Sequence, residues 1–429
     1  MRRAESKEDA ARPGTGAGSD TDPLRPGTDV VVVGGGLAGL TAAVVVARAG
    51  RSVTVLESRN RLGGRARSDR RGRFLFNQGA HALYLGGAGH RILVELGVEP
   101  AGGPPVADAR VLIDGNIRRL PTGPGRLLAS GILGLRDKAE LARVMRSLPR
   151  LDPSRWAGCT AGEWLDRHVS GERGRSLLEA LVRLGTYVNA PDLLSAEAAL
   201  TQLRLAMTGG VTYVRGGWGS LIDALVRTGG AGVTVRTGTP VGTMPDAPAV
   251  ILAPGSPDAA ARLLGTDFDT GPTAFASCLD LGVTRAPGHG FVLGLDRPEY
   301  LSDHTVVADP PLVGENQVAV MRYLSPEEKP DPADTRAGLD EMVARVGISP
   351  TDIVEEMWRP RMRAVSAFPT AAVGGFAGRP PVAHTDRPGV FLAGDWVGPV
   401  GFLADASIAS GYRAGRAAVE HLEHRALTR

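Results

Sequence analysis

The sequence predicts an α/β fold of two domains, one of them built on a parallel sheet, and three neighbouring features carry that expectation. The run Val30–Val33 suits a strand buried on both faces, because four β-branched side chains follow one another with no polar break. A glycine-rich turn at 34–39 leads into an apolar segment, 37–49, that Gly50 closes as a helix C-cap. A second strand, 52–56, then ends on the acid Glu57. Strand, helix and strand in that order make a right-handed βαβ unit. At about 150 residues per domain, 429 residues leave room for two or three domains.

Before this unit, residues 1–28 carry charges, Pro, Gly and Ser without an apolar stretch, so they are expected to form a disordered tail. Arg2 and Arg3 lack the apolar region of an export signal, and no run approaches the ~20 residues that cross a bilayer. Beyond the unit, helices are expected over 137–148 and 219–228, strands over Val233–Arg236 and 249–253, and a last helix over 404–422. Leu141, Val144 and Leu148 share one face of the 137–148 segment.

Composition excludes several classes of function. Two cysteines, Cys159 and Cys278, make no disulfide framework, and no Cys/His cluster offers a metal site. Basic and acidic residues number 49 and 46, too balanced for a nucleic-acid binder that must neutralise several phosphates. Only Lys7, Lys138 and Lys329 are lysines, so the basic side is almost all arginine, as a GC-rich genome would give. A cytoplasmic protein, in peripheral contact with a membrane at most, is the expectation.

The sharpest pattern is the GxGxxG of Gly34, Gly36 and Gly39. Gly34 permits the tight turn, Gly36 lets backbone approach a pyrophosphate, and Gly39 lets the helix pack against the sheet. Leu37 and Ala38 open that helix, whose N-terminal amides would face the anion. Glu57 is placed to accept hydrogen bonds from an adenosine ribose and to repel a 2′-phosphate, which leaves FAD or NAD. The continuation Glu57-Ser58-Arg59-Asn60-Arg61-Leu62-Gly63-Gly64-Arg65 adds a glycine pair able to close over a diphosphate and a forked cation in Arg65.

Over residues 29–68 the chain thereby resembles the superfamily of flavin-dependent amine oxidases, phytoene desaturases and protoporphyrinogen oxidases, whose first FAD segment runs into an R-x-G-G-R element. The resemblance implies a Rossmann-like FAD-binding domain of glutathione-reductase type from 29–84, 206–265 and 376–424. A discontinuous α+β substrate domain would come from 85–205 and 266–375. It also implies roles further along. Gly394 and Asp395, after a short strand, would hold the ribityl or diphosphate part of FAD, although Asp395 as a plain turn residue is the alternative. A valine would touch adenine, Val241 by position with Val235 as rival. Gly79 and Ala80 would lie against the flavin ring. His81 is the one candidate proton-transfer residue, against the commoner histidine satisfied by backbone. Trp396, Phe402 and Tyr412 are candidates to line the substrate pocket, unless they simply pack the core.

Amine oxidases of the superfamily usually hold a lysine near the flavin, and this chain has none between Lys138 and Lys329. The Gly394-Asp395-Trp396 ending is closer to the phytoene- and squalene-associated desaturases. The reading is therefore hydride removal from a C–H bond of an apolar, terpenoid-like small molecule, with the electron acceptor open. An amine oxidase, a protoporphyrinogen-oxidase-like enzyme, an isomerase with structural FAD and a nicotinamide-binding regulator are the alternatives. Arginines 126, 136, 143 and 146 interleaved with Leu127, Leu128, Ile132, Leu133 and Leu135 would suit a membrane surface or ordinary domain packing.

Overall fold

The computed structural model of the protein describes residues 27–383 and 386–428. The expected tail lies outside the described residues except for its last two positions. Val30–Val33 forms the middle of a five-stranded sheet, flanked in parallel by Val53–Leu56 and Ala249–Leu252, with Val233–Arg236 and Val390–Leu392 at the edges. All four valines are buried, as a strand covered on both faces requires. Helices Leu37–Arg48, Gly219–Gly229 and Leu403–Leu427 cover one face. The opposite face packs on Ala260, Leu264, Ala367, Trp396 and Val397.

The register fixes what this sheet can do. Val33 pairs with Leu252, and Leu252 with Leu392, so Gly34 and Ala393 leave the same sheet edge two strands apart. That separation is about 10 Å, from a strand spacing of about 4.8 Å. The glycine turn and the Gly394-Asp395 turn therefore share the carboxyl edge, where open parallel sheets take their ligands.

The last helix runs Leu403–Leu427, longer at its C-terminal end than the expected 404–422, and Ala414, Ala418 and Leu422 form one buried stripe against the N-terminal helix. A Cβ on Gly411 would fall 2.2 Å from the Ala38 carbonyl oxygen, and one on Gly415 would fall 2.8 Å from that of Ala42. Glycines four apart thus let the first and last helices approach backbone to backbone.

The second unit is a seven-stranded sheet in the order Ile353–Val365, Ala274–Val283, Asn316–Leu324, Glu299–Asp303, Phe291–Gly294, Ala109–Ile113, Asn116–Arg119. One face meets the helices Leu135–Ser147, Glu172–Thr186 and Ala196–Thr208. The other meets Pro332–Arg345. Both cysteines are buried and free, and the described residues hold no cluster able to ligate a metal.

Candidate active site

Each glycine of the first turn answers to a different constraint. At Gly34, φ is +109° and a Cβ would strike the Ala253 carbonyl oxygen at 2.1 Å. At Gly39 a Cβ would meet the Gly34 oxygen at 1.9 Å, which is the close helix-to-strand contact the spacing implies. Gly36 is different: its Cβ would find nothing closer than the Gly63 oxygen at 3.9 Å.

Gly63 and Gly64 lie across from this turn. Gly63 N–H donates to the Gly35 carbonyl at 2.8 Å, and Gly36 and Gly63 form a parallel bridge. A Cβ on Gly64 would see only the Gly36 Cα, at 3.8 Å. Two glycines thus keep side chains out of one small space whose walls are backbone, which is the shape a diphosphate needs. Glu57 closes one end: its carboxylate accepts from Gly35 N–H and Arg59 N–H, each at 2.8 Å, and from the Ser58 hydroxyl at 3.3 Å. Two oxygens with lone pairs to spare remain for ribose hydroxyls. Gly238 N–H and Thr239 N–H donate to the Arg59 and Glu57 carbonyls, which brings the run leading to Val241 alongside this carboxylate. Val235 instead packs with the helices on the far face of the sheet.

Arg65 joins the two ends of the chain. Its Nη1 donates to Asp395 Oδ2 at 2.8 Å and also reaches the Ala364 carbonyl, while Nη2 stands 2.8 Å from Oδ1 as an ion pair. Asp395 accepts a further bond from Ser366 N–H at 2.9 Å. Burial works against both charges, but the pair outweighs it, holding the Asp395 carboxyl below and the Arg65 guanidinium above their ordinary ranges. Asp395 is therefore more than a plain turn residue: its carboxylate is engaged by Arg65, 330 residues away in sequence. Of the Arg65 side chain 34% stays accessible beside the buried Asp395, so the guanidinium faces an open chamber between the two turns.

His81 is its neighbour in that chamber. The Gly79 carbonyl holds Nδ1 at 2.8 Å, and since a carbonyl only accepts, Nδ1 carries the proton. Burial, then the charges of Arg65 and Arg359, lower the imidazole pKa to about 4, so it is uncharged at neutral pH. Trp218 lies against it at 5.1 Å between ring centroids. Gly79 adopts a φ of +87°, a conformation that favours glycine. Its Cβ direction is filled by Met362 at 2.6 Å and Cys278 at 3.2 Å, because the strands Ile353–Val365 and Ala274–Val283 pack directly on this turn. Ala80 is likewise buried, but its carbonyl accepts from the Tyr187 hydroxyl at 2.8 Å.

The three aromatic pocket candidates do not come together. Trp396 is fully buried under the sheet against Phe268, because the chain turns back after Asp395. Phe402 packs with Phe368 and Phe376 in a separate cluster. Tyr412 sits on the outer side of the last helix, hydrogen-bonded to Glu95, in an open groove outside the chamber. The aromatic ring against His81 is Trp218, and two tyrosines that the sequence did not mark, Tyr84 and Tyr187, hold the adjoining backbone, Tyr187 through the Ala80 carbonyl. Tyr187 caps its helix at φ +61° and Tyr84 donates to the Gly185 carbonyl at 3.1 Å. Burial pushes both phenols up. Arg379 is a third unmarked residue: it donates to the Asp395 and Gly401 carbonyls and ties the turn before the last helix in place. Burial lowers its pKa to about 10, so it stays charged at neutral pH.

The profile of the family described as flavin containing amine oxidoreductase matches residues 37–248. Coproporphyrinogen III oxidase of Propionibacterium freudenreichii is 31% identical over 198 residues, 42% of this chain and 36% of that protein. Protoporphyrinogen oxidase 2 of Arabidopsis thaliana is 27% identical over 220 residues, 47% and 39% of the two chains. The chain thus spans well under half the length of these curated relatives. Among solved structures, an oxidoreductase from Methanosarcina mazei superposes with a TM-score of 0.69 at 19% identity, over 89% of this chain and 99% of the other. Cyclohexylamine oxidase from Brevibacterium oxydans gives 0.64 at 19%, over 93% and 100%. At such identities the agreement is one of fold.

Proposed function

We infer that this chain, which belongs to the superfamily of flavin-containing amine oxidases and protoporphyrinogen oxidases and whose cofactor is FAD, is an oxidoreductase that takes a hydride from a C–H bond of an apolar small molecule. The observation that carries the reading is the Arg65–Asp395 pair, which draws the glycine cradle and the C-terminal turn to one chamber. Gly34 to Gly39, Glu57, Gly63 and Gly64 would hold the nucleotide half of FAD. Bound there, the cofactor supplies a two-electron acceptor, and protein groups need only orient the substrate.

The chamber supports an uncharged substrate. His81 is neutral, Tyr84 and Tyr187 keep their protons, and Arg65 is already paired with Asp395. Of the two described lysines, Lys329 is exposed and Lys138 holds the Leu128 carbonyl at the surface, so neither reaches the chamber. By analogy with the superfamily this favours a desaturase or dehydrogenase over an amine oxidase. A porphyrinogen substrate is the second reading, favoured by the names of the two relatives given above.

An anaerobic screen of the FAD-loaded protein decides between them. Terpenoid, porphyrinogen and amine compounds are added in turn and the flavin band near 450 nm, roughly where oxidised flavins absorb, is followed. Bleaching by apolar terpenoids alone is the expected result. Bleaching by porphyrinogens selects the second reading, bleaching by amines overturns both, and turnover without bleaching marks an isomerase.

A further inference from the structure

The helix pair Pro124–Leu128 and Leu135–Ser147 projects from the second unit with two leucines directed into solvent. Leu128 is 73% and Leu135 87% exposed, while Leu127 and Leu133 beside them are buried in the cluster that also contains Ala80 and Cys278. The outward leucines are not frayed ends. Lys138 Nζ holds the Leu128 carbonyl at 2.9 Å, Arg173 holds the Ile132 carbonyl at 3.2 Å, and the Asp137 carboxylate caps Gly134 N–H at 3.0 Å. A firmly tied turn that keeps two large apolar side chains out of the core leaves them available to something else.

The charge around them is one-sided. Residues 116–150 contain eight arginines and lysines against two acids, in a chain whose whole net charge is +3. Both acids are turned to internal work, Asp137 capping Gly134 and Gly174, and Glu140 binding Ser170 and Gly171. Arg118, Arg143, Arg146 and Arg150 are exposed and make no ion pair among the described residues. On the longer helix Leu135, Ala139, Ala142 and Arg146 recur on one face at helical spacing.

We propose that this tip docks the protein on an anionic lipid bilayer, with Leu128 and Leu135 inserted among the acyl chains and the surrounding arginines on the headgroups. The pattern of apolar side chains ringed by cations is what an interfacial anchor needs. A protein partner would need about 800 Å² of shaped surface per side, whereas the exposed apolar groups here are two leucines set among arginines, with Gly125, Gly131 and Gly134 between and beside them. No helix among the described residues is long and apolar enough to cross a membrane, so the contact is peripheral. The inference stands on surface residues alone and is independent of the proposed reaction.

The test is flotation of the full-length, FAD-loaded protein with vesicles of phosphatidylcholine containing 30% phosphatidylglycerol, roughly the anionic content at which basic anchors bind, and with phosphatidylcholine alone. Binding to the anionic vesicles only, weakened by 0.5 M salt at about the level where screening is short-ranged, is expected. The double variant Leu128→Ser, Leu135→Ser should lose binding at least tenfold, by the order expected for two inserted leucines, with its thermal midpoint and flavin spectrum unchanged. No flotation of the unmodified protein overturns the proposal. So does equal flotation of the double variant, which would assign binding to another surface. Conversion of a dimer to a monomer by the double variant, without flotation of either form, would make the tip a contact between two copies and likewise overturn it.

Discussion

At the scale of single residues, Glu57 and the Arg65–Asp395 pair carry the most weight. Glu57 holds two backbone N–H groups of the turns it serves, so Glu57→Ala removes both the expected ribose acceptor and the support of Gly35 and Arg59. FAD affinity measured by quenching of flavin fluorescence should fall at least about tenfold, the value of one good hydrogen bond to a charged group. The ion pair predicts an asymmetry. Arg65→Met leaves Asp395, 2% exposed, as a buried charge with Ser366 N–H its remaining donor, and should cost about 3 kcal/mol in denaturant unfolding. Asp395→Asn leaves Arg65 facing the chamber, where solvent discounts the loss to about 1 kcal/mol. Equal losses would mean that the guanidinium is not solvated there. The pattern of residues made Glu57 and the glycines legible, because each serves its own stretch of chain. The partner of Arg65 was not legible, since nothing local marks a contact that spans most of the sequence. The same limit explains Trp396, Phe402 and Tyr412: an aromatic beside a motif reads as a pocket wall, while its direction is set by how the turn before it folds.

At the scale of elements, the first and last helices meet through Gly411 and Gly415. Helix propensity alone would have Gly411→Ala stabilise by about 1 kcal/mol. The Cβ would lie 2.2 Å from the Ala38 carbonyl oxygen, so the variant should instead lose about 2 kcal/mol by overpacking, a change of sign that thermal unfolding would read. The Ala88–Glu95 helix is held to the last helix by Asp405, which accepts from Gly89 N–H at 2.8 Å while its Oδ2 has no partner. Burial, opposed by Gly89 N–H and Arg91, raises its pKa to about 6 from 3.8. A carboxyl whose folded pKa is raised favours folding in its protonated form, and that contribution is lost as pH rises through about 6. Asp405→Asn should therefore gain stability relative to the unmodified protein between pH 4 and pH 8, by about 2 kcal/mol for a shift of this size. A difference that does not change with pH would place the ionised carboxylate in water. His81 acts in the other direction. With its folded pKa at about 4 it takes no proton between pH 6.5 and 4 while the unfolded chain does, so its share of stability is lost over that fall. The helices marked in the sequence, 37–49, 137–148, 219–228 and 404–422, were legible to within a few residues, whereas Glu172–Thr186, Ala196–Thr208 and Pro332–Arg345 went unmarked; the C-terminal helix was cut short because the buried stripe ends at Leu422 and 423–427 are exposed.

At the scale of the whole molecule, three separated stretches build one sheet, and the two turns that would hold FAD leave the same edge of it. The first βαβ unit was legible because it is contiguous, and its glycine pattern tied it to a cofactor. The order of the second sheet was not, because its strands pair across helices and long loops with no signal of register beyond alternation. FAD extended along that edge would stitch the N-terminal turn, the glycine pair and the C-terminal turn into one cooperative unit. The most direct test is backbone hydrogen exchange of the protein with and without one equivalent of FAD. Protection should rise together in residues 34–39, 57–65 and 394–405 at the same FAD concentration. Protection confined to 34–65, with 394–405 unchanged, would contradict an FAD extended along that edge.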